Sequence, residues 1–91
     1  MAIIIKSDGT EESLVLEKQT SLKTLQTAVG GYIEMLHTTD GRYLICNEEG
    51  KLNNLPLNRK ATNMWAGRSG DFIVGNVVIC DKAEMDDEDE E

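Results

Sequence analysis

Three side chains in this 91-residue sequence have the softness or nucleophilicity that catalysis and metal binding require: His37, Cys46 and Cys80. None falls in a short paired spacing such as C-x-x-C or H-x-x-x-H, so no single helix turn or loop brings two of them together as metal ligands. A cysteine nucleophile needs an adjacent base and an oxyanion hole, and no segment carries the signature of either. His37 reads as a strand-end surface residue. Cys46 and Cys80 could close one disulfide, but no export signal precedes them, and they read as reduced thiols on strands, serving as small apolar residues.

The oxygen-bearing residues say more. Glu48-Glu49 could be an acid–base pair or a magnesium site, yet neighbouring carboxylates in a turn diverge into solvent. Gly50-Lys51 looks like the end of a phosphate loop, but the first glycine of G-x-x-x-x-G-K-[ST] is missing and Leu52 follows the lysine, which excludes a nucleoside triphosphatase of that type. Asn58-Arg59-Lys60-Ala61-Thr62 is the sharper clue. If Asn58 caps a helix, two cations occupy its first turn, where the dipole is already positive, at about 0.3–1 kcal/mol each. An anion there would reverse the sign, held by free amides, Arg59 or Lys60 and the Thr62 hydroxyl. In the competing reading both long side chains simply bend into water. Glu34, an acid in a mixed apolar stretch after Gly30-Gly31-Tyr32, could face a ligand hydroxyl or a basic partner; as an exposed strand residue it needs no function.

The elements that must position these groups follow from periodicity and turn chemistry. Ala2 to Lys6 is β-branched and apolar on both faces, as a buried strand requires, and Ser7-Asp8-Gly9-Thr10 turns it into a partner strand around Ser13 to Leu16. Thr20 or Ser21 caps a helix with a stripe of Leu22, Leu25 and Val29, stopped by Gly30-Gly31. Tyr32 to Thr38, the turn Thr39-Asp40-Gly41 and Arg42 to Cys46 form a hairpin. A turn at Asn47 to Gly50 leads to an extended or looped Leu52 to Leu57 around the only proline, with the leucines against the core. A helix capped by Asn58 runs to about Trp65, turning Ala61, Met64 and Trp65 inward. After a loop at Gly67 to Gly70, Asp71 to Asp81 reads as a strand with a bulge or close approach at Gly75-Asn76. The expected fold is α+β: a single small domain at residues 1–82, with a mainly antiparallel, twisted sheet of about four or five strands and two short helices.

Charge separates a tail from that body. Seven of the seventeen acids lie in the last eight residues, leaving ten acids against nine bases elsewhere. Residues 83–91 are therefore expected to be an acidic, disordered tail. The nearly neutral body offers no broad basic face, so no direct nucleic-acid binding is expected. No stretch approaches the roughly 20 apolar residues that span a bilayer, and Met1 to Lys6 is too short for a signal sequence, so no membrane association and a cytoplasmic location are expected. A domain this small has a thin stability margin that oligomerisation would widen.

Leu25-Gln26, Val29-Gly30-Gly31-Tyr32-Ile33-Glu34, Asn47-Glu48-Glu49-Gly50-Lys51-Leu52, Leu55-Pro56-Leu57-Asn58, Ala61-Thr62 and Asp71-Phe72-Ile73-Val74-Gly75-Asn76 form an ordered set of blocks. Together they resemble an uncharacterised domain family of tailed bacteriophages, large algal viruses and bacterial mobile elements, over about Ile3 to Ile79. The resemblance implies a small phage-type accessory protein and brings no known active site with it. Small phage proteins that counter host defence often act by stoichiometric binding, sequestering a nucleotide-derived signal between subunits or blocking a host protein. The expectation is then a non-enzymatic, homo-oligomeric protein, without cofactor or metal, that captures a small anionic nucleotide-like ligand. Tyr32 would stack on a base, Glu34, Asn47 and Asn58 would read hydroxyls or base edges, and Lys51, Arg59 and Thr62 would hold phosphate. The alternative is a protein-interaction inhibitor of a host enzyme or nucleic-acid-binding protein, aided by the acidic tail.

Overall fold

Ala2–Ile5 (β1) is apolar on both faces because it lies inside the sheet, with antiparallel partners on both sides: Glu11–Leu14 (β2) and Val77–Cys80 (β5). Tyr43–Asn47 (β4) pairs with the far side of β5, and Ile33–His37 (β3) pairs with β4 at the edge. The five-stranded order is β2-β1-β5-β4-β3, antiparallel throughout. The expected α+β class and antiparallel sheet are what the chain forms. A computed structural model describes residues 2–17, 21–67 and 70–85. Thr20 as a cap, the Arg68-Ser69 part of the expected loop and the acids at 86–91 lie outside the described residues.

Side-chain alternation gives the sheet two buried faces. Ile5, Leu44, Cys46, Val77 and Ile79 point one way, under Ala61 of the helix Arg59–Met64 (α2) and Ile73. Ala2, Ile45, Val78 and Cys80 point the other way, under Leu25 of the helix Ser21–Val29 (α1). Among the described residues no helix is long and apolar enough to cross a membrane.

Several local expectations need correcting. The stripe on α1 is narrower than its spacing suggests: Leu25 and Val29 are buried, whereas Leu22, one turn earlier, is 56% exposed. The strand β2 starts at Glu11 rather than Ser13 because Lys6 N–H donates to Thr10 O at 2.8 Å and closes the hairpin there. Val15 then projects beyond the paired register, exposed. The apolar run at Asp71 to Asp81 is regular strand only over β5; before it, Ile73 and Val74 are buried in a loop that touches Leu57 through a single bridge. Gly75 breaks the run with φ +77°, and a Cβ there would lie 2.8 Å from Leu55 Cδ1, the close approach its position implies. Lys82–Met85, at the start of the expected tail, is a helical turn (α3) in which Glu84 Oε1 accepts from Asp81 N–H at 3.0 Å.

One residue ties the layers together. Asn58 caps α2, its Oδ1 accepting from Ala61 N–H at 3.0 Å, while its Nδ2 donates to Ile5 O at 2.9 Å and to Gly75 O at 2.8 Å. Its backbone N–H reaches Ile73 O at 2.9 Å, and its carbonyl accepts from the Thr62 N–H at 3.0 Å and hydroxyl at 2.8 Å. The side chain is fully buried. Asn58→Ala strips the cap and removes the amide protons that reach the buried Ile5 and Gly75 carbonyls, and is expected to cost about 3 kcal/mol. Asn58→Asp, which turns a donor pair into an acceptor facing those same carbonyls, should cost at least as much. Urea denaturation followed by Trp65 fluorescence checks both: a lower midpoint at unchanged slope is expected.

Candidate functional site

The hairpin of β3 and β4 forms the floor of a groove of about 220 Å³ through Glu34, Leu36 and Cys46, with Glu34 directly opposite Cys46 in the pairing. One wall is the turn Asn47, Glu48, Lys51 and Leu52; the other is Asp71 to Val74; Trp65 also lines the groove.

Each wall has a local cause. Asn47 is buried, donates from Nδ2 to Val29 O at 3.2 Å and accepts from Glu49 N–H at 2.8 Å, an Asx turn that reverses the chain on leaving β4. Gly31 is what lets Asn47 in, since a Cβ there would lie 2.9 Å from Asn47 Nδ2. Further turns follow, with Asn53 N–H on Glu49 O at 2.9 Å and Asn54, at φ 56°, donating to Lys51 O at 3.1 Å. Of the extended or looped segment expected from Leu52 to Leu57, the part to Asn54 is turn and the chain extends only after it. The leucine anchor reduces to Leu55, because Leu52 and Leu57 are exposed. The opposite wall hangs from α2: Ile73 N–H donates to Thr62 Oγ1 at 2.9 Å, and Ile73 O accepts from Asn58.

The charges do not add up to an anion site. The Lys51 ammonium forms an ion pair with Asp71 and lies 4.6 Å from the centroid of the Phe72 ring. Both charged partners are about half exposed, so the pair contributes at most about 1 kcal/mol and its lysine is not free. Among the described residues Glu34 and Glu48 have no ion-pair partner. Three carboxylates thus face one ammonium that is already matched.

The residues expected to share one site divide into three groups. Glu34, Asn47 and Lys51 line the groove. Tyr32 and Asn47 line a second hollow of about 270 Å³, with Gln26, Gly30, Gly31, Glu49 and Asn53. Asn58, Arg59 and Thr62 line neither. The polar groups of Asn58 and Thr62 are buried or committed to α2 and to the loop at Ile73, where they hold protein together. Arg59 is exposed on α2, and Lys60 beside it bonds Glu11 of β2 at 3.2 Å, at the opposite end of the sheet from β3. The anion site expected at the start of α2 is not assembled. Trp65, Asp71 and Phe72 were not anticipated; the one sequence signal was an aromatic, Phe72, beside the acid Asp71 at the start of an otherwise aliphatic run.

The thiols are free and buried on opposite faces of the sheet. Burial, with Glu34 adding to it, pushes Cys46 up to about 11, and burial, with Glu84 and Asp81 adding to it, pushes Cys80 up to about 11. Neither is a thiolate near neutrality, which matches their reading as small apolar residues. His37 is exposed at the end of β3, its ring 5.4 Å from that of Tyr43.

A family model described as a domain of unknown function, DUF3846, matches residues 1–91. No curated protein and no solved structure matches the chain significantly.

Reaction with Ellman's reagent at pH 8 tests the thiol chemistry. Both cysteines should react roughly 100-fold or more slowly in the folded chain than in guanidinium, because burial blocks the reagent and the raised pKa lowers the thiolate fraction. Fast labelling of Cys46 in the native protein would show a reactive groove thiol instead.

Proposed function

The chain belongs to the DUF3846 family, and from the groove over β3 and β4 we propose that it is a non-enzymatic binding protein that acts by stoichiometric capture. Its resemblance to accessory proteins of phages and mobile elements supports a role in the host cytoplasm, countering a host activity. Capture needs no activated nucleophile, and among the described residues both cysteines are buried with raised pKa.

The charge of the groove selects the target. A phosphate-bearing ligand would need Lys51, Arg59 and the start of α2 to converge, and they stand apart. Glu34 and Glu48, two carboxylates without ion-pair partners among the described residues, favour instead a target that brings positive charge: a host protein. That observation carries the reading. The acid-rich terminal segment would then steer the encounter by its long-range field.

A second reading is favoured by one contact. Lys51 lies over Phe72, so a phosphate displacing Asp71 would find an ammonium beside an aromatic face on which a base can stack. A nucleotide-derived ligand bound this way needs more enclosure than about 220 Å³ provides, and a second subunit would supply it.

Two measurements separate the readings. Immobilised protein is expected to retain a host protein, with retention cut roughly tenfold in Glu34→Gln/Glu48→Gln and on-rate alone reduced by truncation after Met85. Calorimetry against a panel of mono-, di- and cyclic nucleotides should give no heat. Heat that disappears in Lys51→Ala, with nothing retained from lysate, would replace the first reading by the second.

A further inference from the structure

Among the described residues no strand pairs with the edge of the sheet beside the groove ahead of Thr38, and its hydrogen-bond phase can be read. Tyr32 O accepts from Glu48 N–H at 2.8 Å, and Thr38 N–H donates to Arg42 O at 2.9 Å. In an antiparallel ladder the phase alternates, so Tyr32, Glu34, Leu36 and Thr38 turn their backbone groups toward β4, and Ile33, Met35 and His37 turn theirs outward. The C-terminal part of that outer edge is already occupied: His37 O accepts from Ala66 N–H at 2.9 Å and Thr39 N–H donates to Met64 O at 2.8 Å. This short run after α2 adds to β3 as a strand would, through the Thr38–Trp65 bridge. Ahead of it, the N–H and C=O groups of Ile33 and Met35 face outward from a strand whose one sheet neighbour among the described residues is β4.

A strand laid along Ile33 to Met35 would alternate its own side chains between the two faces. On the α2 face they would meet Glu34, with the groove and Glu48 behind it. On the α1 face they would lie beside Ile33 and Met35, the latter 42% exposed. The opposite edge of the sheet is less accommodating: on β2, Glu11 and Glu12 are held in ion pairs by Lys60 and Lys6.

Resting on the protein-binding reading above, we propose that β3 is a docking edge for an extended segment of a partner protein in which lysine or arginine alternates with apolar residues. Backbone bonds to Ile33 and Met35 supply the register, and the carboxylates of Glu34 and Glu48 supply the preference for basic side chains. Charge complementarity selects this occupant, since a second copy paired about Glu34 would set that carboxylate against its own equivalent.

The test uses the full chain, labelled with ¹⁵N, and a capped hexapeptide alternating valine with lysine, against its valine–glutamate counterpart. The lysine peptide should shift the amide signals of Ile33 and Met35 and slow their exchange roughly tenfold at saturation, while the glutamate peptide does neither. Met35→Pro removes an outward N–H that β4 does not use, so the fold should survive, checked by amide dispersion, and the peptide effect should vanish. Glu34→Gln should weaken binding roughly fivefold. Equal binding of both peptides, or no response at Ile33 and Met35, overturns the proposal. A dimer in light scattering that Met35→Pro dissociates also overturns it, by making a second copy the occupant. If host-protein retention depends on Glu34 and Glu48 but survives Met35→Pro, the protein-binding reading stands and strand addition fails.

Discussion

Three segments that share no strand meet at the carboxamide of Asn58: the end of β1, the loop before β5 and the first turn of α2. Each contributes a buried backbone group that the carboxamide satisfies, and leaving such a group short of a partner costs about 1–3 kcal/mol. This single side chain therefore sets where the loop from Asp71 to Gly75 hangs, and with it the second wall of the groove. Thr62 repeats the logic one turn later by engaging Ile73. Phe72 and Asp71 owe their position to this network and not to any strand, since the regular pairing of β5 begins only at Val77.

The sequence announced the sheet more clearly than the site, and the reason is physical. The unbroken apolar run of β1 and the two-residue period of the β3–β4 hairpin, with turn residues at Asp40-Gly41, are local signals, and both elements fall within a residue of where those signals put them. The start of β2 was obscured because its residues are polar, leaving the hairpin hydrogen bond at Thr10 to fix the register. How the polar residues group in space was less legible, for a different reason. Asn47 to Thr62 is one dense polar stretch, and proximity in sequence suggested convergence in space. In the folded chain the stretch passes from the β4 end of the sheet to α2, where Asn58 and Thr62 turn inward and Arg59 faces solvent. Whether an asparagine caps a helix is legible locally; whether its other amide protons find distant carbonyls is not.

Electrostatics at the groove follows from the same wall. By bringing Asp71 to Lys51, the loop neutralises the cation nearest the groove floor, and Phe72 covers that cation from one side. Glu34 and Glu48 then dominate the local field although the body of the chain is close to neutral. The preference proposed for a positively charged target would then arise from how one loop is hung, and composition alone could not have revealed it.

Placing one thiol on each face of the sheet has a consequence for the life history of the chain. Cys46 and Cys80 lie on neighbouring strands but point to opposite sides, with the sheet itself between them. The native molecule cannot cross-link itself, whereas the unfolded chain can, through a loop of about 34 residues whose closure is inexpensive. An internal disulfide formed before folding would bar the chain from its own sheet. Oxidation thus becomes a ratchet that acts only on molecules that have not folded, and completing the sheet is what protects the chain from it.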